Sequence, residues 1–438
     1  MPVYKTYRDP DFSLFQSMLE EVMTESTSGP VSFDVTGQTE EPMIAAALSI
    51  GDLLEVGDEL PEVGGGISFS GMDAGTVTSY CASTAWKLVK AKLQGNSEEA
   101  ERLEEELGPF SVCDPRWAET VEKYLLHVKF QGKKIPYRTW NNLSDYMFDG
   151  RLPANARIAI ISDWGTGQPS ARMVLEQVAR KRPHIVIHLG DIYYSGTTRE
   201  MKENFLNICR EILPRGTQLY TIPGNHDLYA GGQPFYDLLD EIEQPASFFG
   251  LRNEHWQFLA MDTSLHDSDT FTVATNVTYL DEREAQWHQD KLKNNSGRKS
   301  VLLSHHQLFT AYSSTGLIND EPQALNPLLY APFASYLDKI DLWLWGHEHN
   351  MIIFDEYKGL KRGRCVGCSA IPVPKELNPY GINPHLIAPP GFSNIRLSLD
   401  SADVYHFGYV MIRLNGPTAR VDYYDASRPT RPLFSETI

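Results

Sequence analysis

Short apolar runs recur along the chain from Arg157 onward, and polar or glycine-containing segments separate them. Longer segments with the helical period lie between several of these runs, an alternation that is typical of a layered α/β fold. The last runs lie closer together, which is typical of hairpin strands. The pattern predicts strands at residues 158–161, 185–189, 219–222, 258–261, 301–303 and 342–345, and hairpin strands at residues 351–354, 409–414 and 420–424.

Residues 1–150 lack this alternation. Helical periodicity occurs in residues 11–24 and 82–130, and the sequence between them is rich in glycine and glutamate. A chain of 438 residues can form one large domain and a second part. We therefore predict a partly helical N-terminal extension at residues 1–150, able to mediate homo-oligomerisation or to cap a main domain at residues 151–438.

The chain is acidic, with 57 Asp and Glu against 39 Lys and Arg and a formal net charge of -18. Because polyanions are bound mainly by clustered Lys and Arg, nucleic acid is not an expected partner. A small phosphorylated substrate is compatible with this charge when metal ions supply the local positive charge. The chain as given has no apolar N-terminal segment and no bilayer-length apolar run, so we expect a cytoplasmic protein without a membrane partner.

The five cysteines are too few and too scattered for a disulfide framework, so we expect mostly reduced, buried thiols. Cys365 and Cys368 form one C-x-x-C pair, but a structural zinc site normally needs a second pair or two nearby histidines. We therefore expect neither zinc binding nor redox chemistry at this pair.

Five of the apolar runs are followed by side chains that can bind metal ions. Open α/β sheets carry their functional sites at the carboxyl ends of their strands, where these residues fall. Carboxylate, imidazole and phenolate donors suit Fe, Mn or Zn, and two such ions joined by a shared carboxylate form a clamp for displacement at phosphorus. The five segments are Asp163-Trp164-Gly165, Gly190-Asp191-Ile192-Tyr193-Tyr194, Pro223-Gly224-Asn225-His226-Asp227, Ser304-His305-His306 and Gly346-His347-Glu348-His349.

Each segment by itself has a structural explanation. Asp163 can be a helix N-cap, and Asn225 can lie in a turn. A lone His305 is more often a core or surface histidine than a ligand. His347 and His349 are a stronger signal, because alternate residues of an extended chain face the same side. Two carboxylates, a carboxamide and three histidines, all expected at the strand ends of one sheet, are hard to assemble by chance, so we predict a binuclear metal site.

In this order, the five segments resemble the signature of the calcineurin-like metallophosphoesterase superfamily, and they cover residues from about 157 to 350. The resemblance implies a four-layer α/β/β/α sandwich that continues to about residue 425, with the largely helical extension outside it. Most members have a histidine at the position of Gly165, whereas the purple acid phosphatase branch has instead a tyrosine three residues after the bridging aspartate. Tyr194 stands at that spacing from Asp191, and the alternatives are that Tyr193, or neither tyrosine, lies near the metal.

The resemblance implies two metal ions, with Fe at the first site, favoured by a phenolate, and Fe, Zn or Mn at the second. His305 rather than His306 is taken as the ligand, because the family histidine usually precedes a small residue or proline by two positions. The implied ligands are Asp163, Asp191, Tyr194 and His349 for the first metal, and Asp191, Asn225, His305 and His347 for the second.

Substrate binding is implied for Asn225, His226 and His306. His226 is expected to hydrogen-bond the phosphoryl oxygen or to protonate the leaving oxygen, with Asp227 orienting its ring. In this family a metal-bound hydroxide attacks phosphorus.

The function implied is therefore hydrolysis of a phosphate monoester, as in acid phosphatases. A phosphodiesterase or nucleotide hydrolase with the same metals is the alternative, because leaving-group selection lies in loops such as residues 229–236 and 312–326. A non-catalytic scaffold of the same fold is a third alternative. Such scaffolds usually have broken ligand sets, whereas the ligands and the His226-Asp227 pair are all present here.

Overall fold

A computed structural model describes residues 114, 123–124, 127–128, 131–270, 272, 275–401 and 403–438. The helix predicted in residues 11–24 and nearly all of the one in residues 82–130 lie outside the described residues. The boundary at residue 150 and the largely helical character of the extension therefore stay predictions. Among the described residues, every helix is too short or too polar to span a lipid bilayer.

The described part of the chain contains seventeen strands. Nine of them correspond to the nine predicted runs, with ends that differ by one or a few residues. In chain order the strands are β1 Met147–Asp149, β2 Arg157–Ile161, β3 Ile185–His188, β4 Gln218–Thr221, β5 Phe249–Arg252, β6 Trp256–Ala260, β7 Lys299–Ser304, β8 Leu317–Ile318, β9 Glu321–Pro322, β10 Ile340–Trp345, β11 Met351–Ile353, β12 Gly363–Val366, β13 Val373–Pro374, β14 Val404–Tyr405, β15 Gly408–Asn415, β16 Thr418–Asp425 and β17 Phe434–Thr437.

The helices lie between the strands of the first two thirds of the described chain. They are α1 Pro169–Arg180, α2 Thr198–Glu200, α3 Asn207–Ile212, α4 Gln233–Glu241, α5 Glu282–Lys293 and α6 Pro327–Tyr330. A π-helical turn, Met201–Leu206, joins α2 to α3. Local sequence explains where several begin: Pro169 occupies the first turn of α1, and the Asp281 carboxylate accepts two backbone N–H bonds at the start of α5.

Two large sheets contain most of the strands. The smaller has the order β17-β16-β15-β2-β3-β4, with β2, β3 and β4 parallel and β15 to β17 added as antiparallel strands. The larger has the order β1-β5-β6-β7-β10-β12-β11, with β6, β7, β10 and β12 parallel. Both sheets therefore have a centre of parallel strands, whose two faces must be covered.

Three hydrophobic clusters cover these faces. One lies between the sheets and joins residues such as Ile158 and Ile187 of the smaller sheet to Phe258 and Leu342 of the larger. The second packs α1, the π-helical turn, α3 and α4 on the outside of the smaller sheet. The third packs α5 and the segment that contains Phe333 on the outside of the larger sheet. The predicted four-layer α/β/β/α sandwich is confirmed.

The cysteine pair at residues 365–368 is divided between two of these clusters. Cys365 packs in the cluster outside the larger sheet, and Cys368 packs in the cluster between the sheets. Both thiols are free and buried, as is that of Cys209. The expected burial is confirmed for these three thiols, while Cys81 and Cys113 lie outside the described residues.

A buried pair of carboxylic acids, Asp262 and Glu284, lies where the chain leaves β6 and packs on α5. The Asp262 backbone N–H donates to Glu284 Oε1 at 2.8 Å, and the Tyr137 hydroxyl donates to Glu284 Oε2 at 2.8 Å. Burial raises the pKa of Asp262 to about 6, and burial together with Asp262 raises the pKa of Glu284 well above its usual value. The titratable groups around the pair are Tyr137, Tyr236, Asp281 and His288.

Replacement of this buried acid, Asp262→Asn, is expected to stabilise the protein increasingly as pH rises. The folded state holds the Asp262 proton up to about pH 6, whereas the unfolded state loses it near pH 4, so stability on the order of 3 kcal/mol is lost as pH rises through this window. The amide of the variant keeps an oxygen for the Ser264 and Leu265 N–H groups, which Asp262 Oδ1 accepts at 3.1 and 3.0 Å. Thermal unfolding of the metal-free protein at about pH 5 and about pH 8 measures the effect.

The exposed carboxylate of Asp237, on α4, provides the control for this comparison. Asp237→Asn removes an exposed carboxylate and so measures how much of any change in Tm comes from the loss of one negative charge at the surface. A difference for Asp262→Asn that stays constant or shrinks as pH rises contradicts the prediction.

Candidate metal centre

The predicted ligands gather in one place, but they come from two sheets. Asp163, Asp191 and Asn225 follow β2, β3 and β4 of the smaller sheet, whereas His305 and His347 follow β7 and β10 of the larger. The expectation that a single sheet carries them all was wrong. Both sheets have parallel central strands, and the order of apolar runs along the chain does not reveal which runs pair with which.

Four of these residues have left-handed backbone conformations, with φ of 54° at Asp163, 74° at Asp191, 69° at His347 and 43° at His349. Such angles are uncommon outside glycine and cost roughly 1–3 kcal/mol each, and they concentrate at functional sites. The sequence pattern suggested that His347 and His349 are alternate residues of an extended strand, but their backbone is not extended. Their side chains converge because the backbone turns between them.

Glycines allow the loops to approach the carboxylates closely. A Cβ atom on Gly224 would lie 2.0 Å from Asp191 Oδ1, and one on Gly346 would lie 2.6 Å from Asp163 Oδ2. Neither position can carry a side chain without moving a carboxylate. The glycines before Asn225 and His347 are thus part of the construction of the site.

One set of donor atoms converges around His305. Its Nε2 atom lies 3.1 Å from Asn225 Oδ1, 3.1 Å from His347 Nδ1 and 3.5 Å from Asp191 Oδ1. His305 Nδ1 donates to the Leu189 carbonyl at 2.8 Å, which leaves the Nε2 lone pair directed at the other donors. This is the arrangement of a histidine ligand.

A second set converges around the Tyr193 hydroxyl. The hydroxyl oxygen lies 2.9 Å from Asp191 Oδ2, 3.1 Å from His349 Nε2 and 3.4 Å from Asp163 Oδ1. His349 Nε2 is also 3.4 Å from Asp163 Oδ1. The two oxygens of Asp191 thus belong to different sets, one to each.

These separations fit two metal ions that share Asp191. Donor atoms about 2.1 Å from one ion, at angles of about 90–110°, lie about 3.0–3.4 Å apart. Most separations in both sets fall in or near that range. Asp163, Asp191 and His305 also form a buried group close enough to hold an ion, as do His305, His306 and His347.

The electrostatics of the buried carboxylates also favour bound cations. Asp163, Asp191 and Asp227 are all fully buried. Burial raises the pKa of Asp227 well above its usual value, and the nearby Asp191 raises it further. Burial alone would raise the pKa of Asp163 too, but the contact with His349 and the proximity of His305 hold it below its usual value. Buried carboxylates this close together need compensating positive charge, which bound cations supply.

The Tyr193 hydroxyl contacts the cluster, whereas the family spacing selected Tyr194. The backbone N–H of Tyr194 donates to Glu200, and its carbonyl oxygen accepts a hydrogen bond from His226. The hydroxyl contacts therefore favour the alternative named in the sequence analysis. A spacing along the chain does not say which of two adjacent tyrosines faces the metals.

His306 lies beside the cluster with both ring nitrogens near other groups. Its Nδ1 atom is 2.9 Å from the Thr263 hydroxyl, and its Nε2 atom is 2.9 Å from Asp267 Oδ2. Its ring centroid is 4.6 Å from that of His347. The contacts favour His305 as the ligand and place His306 in the wall next to it. Asp267 and Thr263 belong to no recognisable motif, so their sequence alone does not mark them as part of the site.

His226 and Asp227 are buried beside the cluster in different roles. His226 Nδ1 donates to the Tyr194 carbonyl at 2.7 Å, so a backbone oxygen orients the ring. The Asp227 carboxylate accepts backbone N–H bonds from Asp191 at 2.9 Å, Ile192 at 3.0 Å and Gly224 at 2.7 Å. Asp227 thus joins the loops that carry the metal ligands, which differs from the expected orientation of the His226 ring.

Residues 156–351 match the family model of the calcineurin-like phosphoesterases. This domain belongs to that family. The family uses metal ions to hydrolyse phosphoesters, and in this phosphoesterase domain the matched residues contain both donor sets. No curated protein matches the chain significantly.

Solved structures resemble the phosphoesterase domain at low sequence identity. The purple acid phosphatase PPD1 of yellow lupin (Lupinus luteus) is 15% identical, with a TM-score of 0.44, over 66% of this chain and 55% of the lupin chain. GAP50, the anchor in the inner membrane complex of Plasmodium, is 12% identical, with a TM-score of 0.42, over 65% of this chain and 88% of its own. The chain thus spans little more than half of the lupin enzyme.

Proposed function

We propose that the phosphoesterase domain hydrolyses phosphate monoesters with two metal ions, and that the first of these is iron bound by a tyrosine phenolate. The proposal rests on Asp191, because its two carboxylate oxygens lie in different donor sets. Oδ1 lies beside His305 and Oδ2 lies beside Tyr193. A carboxylate in that position would hold both ions. The substrate is a small phosphorylated molecule, as the net charge of -18 disfavours a polyanion.

Each donor set suits a different ion. Asp163, Tyr193 and His349 would hold the first, and the hard phenolate oxygen favours iron. Asn225, His305 and His347 would hold the second, for which Fe, Zn or Mn are suitable. When bound, the ions supply a nucleophile at neutral pH and stabilise charge that develops on the phosphoryl oxygens.

The protein's own groups complete the site. His226 lies against the Tyr193 ring, with 4.6 Å between ring centroids, and its Nδ1 proton is donated to the Tyr194 carbonyl. Its Nε2 atom is then the one that can bind a phosphoryl oxygen or hold the proton that passes to the leaving oxygen. His306, positioned by Asp267 and Thr263, forms the opposite wall beside His347.

Metal analysis and the visible spectrum of protein purified without added metal test the proposal. We expect near-stoichiometric iron, a broad visible band from the iron-phenolate pair, and faster turnover of a phosphate monoester than of a diester. The matched variants Tyr193→Phe and Tyr194→Phe identify the phenolate, because the Tyr193 hydroxyl contacts Asp163, Asp191 and His349. The band should disappear in Tyr193→Phe and remain in Tyr194→Phe.

The opposite pattern in the two variants restores Tyr194 as the ligand and rejects Tyr193. Two Zn or Mn ions with no visible band would reject the assignment of iron but keep the proposal of a metal-dependent phosphoesterase. A preference for diesters replaces the monoesterase with the diesterase alternative, and a protein that binds no metal contradicts the proposal as a whole.

A further inference from the structure

The helical segment after the Tyr193-Tyr194 pair presents two polar side chains to the backbone that carries this pair. Glu200 ends α2, and Asn204 lies in the π-helical turn Met201–Leu206, four residues later. Widened turns of this kind are frequent at functional sites. Neither residue belongs to a segment of the family signature, and the function proposed above does not use them.

Glu200 binds the backbone directly after Tyr193. Its Oε1 atom accepts the Tyr194 N–H at 2.5 Å, and its Oε2 atom accepts the N–H groups of Ser195 at 3.2 Å and Thr197 at 2.8 Å. The Thr197 hydroxyl donates to the same oxygen at 2.8 Å. The Glu200 carboxylate therefore accepts four hydrogen bonds from residues 194–197. Hydrogen bonds to an ionised acceptor are the stronger kind.

Asn204 binds the same turn from the other side of the peptide. Its Nδ2 atom donates to the Tyr193 carbonyl at 2.8 Å. Gly167 gives it room, because a Cβ atom there would lie 2.4 Å from Asn204 Oδ1. Glu200 and Asn204 thus hold the two polar groups of a single peptide, the Tyr194 N–H and the Tyr193 carbonyl.

The segment that they hold carries two functional groups. The Tyr193 side chain reaches Asp191 Oδ2 and His349 Nε2. The Tyr194 carbonyl accepts the Nδ1 proton of His226 and so determines the orientation and tautomer of that ring. A shift of this peptide would move the phenol and the His226 partner together.

We propose that Glu200 and Asn204 are positioning residues that hold the Tyr193 phenol and the His226 ring in register with the metal ligands. The inference rests on the proposed metal-dependent function. Glu200 and Asn204 would then contribute to metal binding and to proton transfer indirectly, by holding the backbone of residues 193–197 in place. Mutation of residues that hydrogen-bond to metal ligands typically lowers metal affinity or activity by about 10–100-fold.

The isosteric variants Glu200→Gln and Asn204→Asp test this in the full chain. The first places amide hydrogens among N–H donors, and the second cannot donate to the Tyr193 carbonyl when ionised. Glu203→Gln is the matched control, because Glu203 is exposed on the same helical segment and pairs with Arg199. The readouts are the affinities for Mn²⁺ and Zn²⁺, kcat and KM for a phosphate monoester, and amide hydrogen exchange of residues 193–197 in the metal-free protein.

We expect Glu200→Gln and Asn204→Asp to lose roughly 10–100-fold in affinity for at least one ion and in kcat, with KM within about threefold of the wild type. Exchange should be faster at residues 193–197 and unchanged in β2 and β3. The Glu203→Gln control should match the wild type in all readouts. Metal affinity and kcat within about twofold of the wild type in both variants, or unchanged exchange at residues 193–197, would overturn the inference.

Failure of the proposed function gives a different result. A wild type that binds metal but hydrolyses no phosphoester rejects the phosphoesterase proposal, while the metal affinities still decide whether Glu200 and Asn204 position the ligands. A loss of metal affinity that merely follows a general loss of thermal stability in the metal-free variants also rejects the positioning role.

Discussion

Asp191→Asn is expected to reduce phosphoester hydrolysis by roughly a thousandfold or more, because a two-metal clamp requires a shared anionic ligand. Asp191 is the residue whose two oxygens belong to different donor sets, beside His305 and beside Tyr193. An asparagine keeps the size and one oxygen but loses the charge and the second oxygen. We expect one of the two ions to be lost, which metal analysis and the initial rate on a phosphate monoester measure together.

The same variant should not destabilise the metal-free protein. Asp191 and Asp227 are both buried, and the charge of Asp191 helps to raise the pKa of Asp227, so removing one charge relieves repulsion. The wild type should gain thermal stability when metal is added, and Asp191→Asn should gain less, because an ion that binds only the folded state stabilises it by an amount that grows with the logarithm of its affinity.

Asp237→Asn again serves as the control, since this exposed carboxylate on α4 should change neither rate nor metal content. Full activity in Asp191→Asn with two ions still bound would show that Asp191 is not the bridge. Full activity with no ions bound would reject metal-dependent catalysis altogether.

His226→Ala is expected to lower kcat by about 10²–10⁴-fold while leaving both metal ions bound. The His226 ring is oriented by the Tyr194 carbonyl and lies next to Tyr193, but its side chain belongs to neither donor set. If the ring protonates the leaving oxygen, the loss should be larger for a monoester with a basic alkoxide leaving group than for one with an acidic phenol. The measurement is kcat for two such substrates together with metal content.

The variant Asp227→Asn distinguishes the role of Asp227 from that of the neighbouring His226. Asp227 accepts the N–H groups of Asp191, Ile192 and Gly224, so an amide in its place disturbs the loops that hold the ligands. We expect this variant to lose metal affinity first, whereas His226→Ala loses turnover with metal retained. If Asp227→Asn instead keeps its metals and behaves as His226→Ala does, Asp227 acts through the His226 ring.

Much of the fold follows from local features of the chain. Buried parallel strands must be apolar on both faces, so the runs that became β2, β3, β7 and β10 were recognisable without their partners. Strands with fewer apolar residues were missed: β5 contains Gly250 and Arg252, and β12 contains Gly363 and Arg364. Their pairing with neighbouring strands, rather than their own pattern, makes them strands.

The chemistry of the site was visible for a related reason. Functional groups of α/β folds follow strands, so Asp163, Asp191, Asn225, His305 and His347 could be found as polar residues that end apolar runs. Contacts from residues far along the chain carry no such mark. Thr263 and Asp267 reach His306 across about forty residues, and Asn204 reaches Tyr193 from the next helical segment.

The order of donor types along the chain was therefore sufficient to predict a metallophosphoesterase and the residues that gather at its candidate metal centre, because each donor is tied to a strand end by local sequence. Three-dimensional packing was needed to show that two sheets share the site, that Tyr193 faces the cluster and that Asp227 binds backbone. These features depend on the direction of individual side chains. That direction is determined by left-handed backbone angles at Asp163 and Asp191 and by hydrogen bonds between distant loops, which a one-dimensional pattern does not contain.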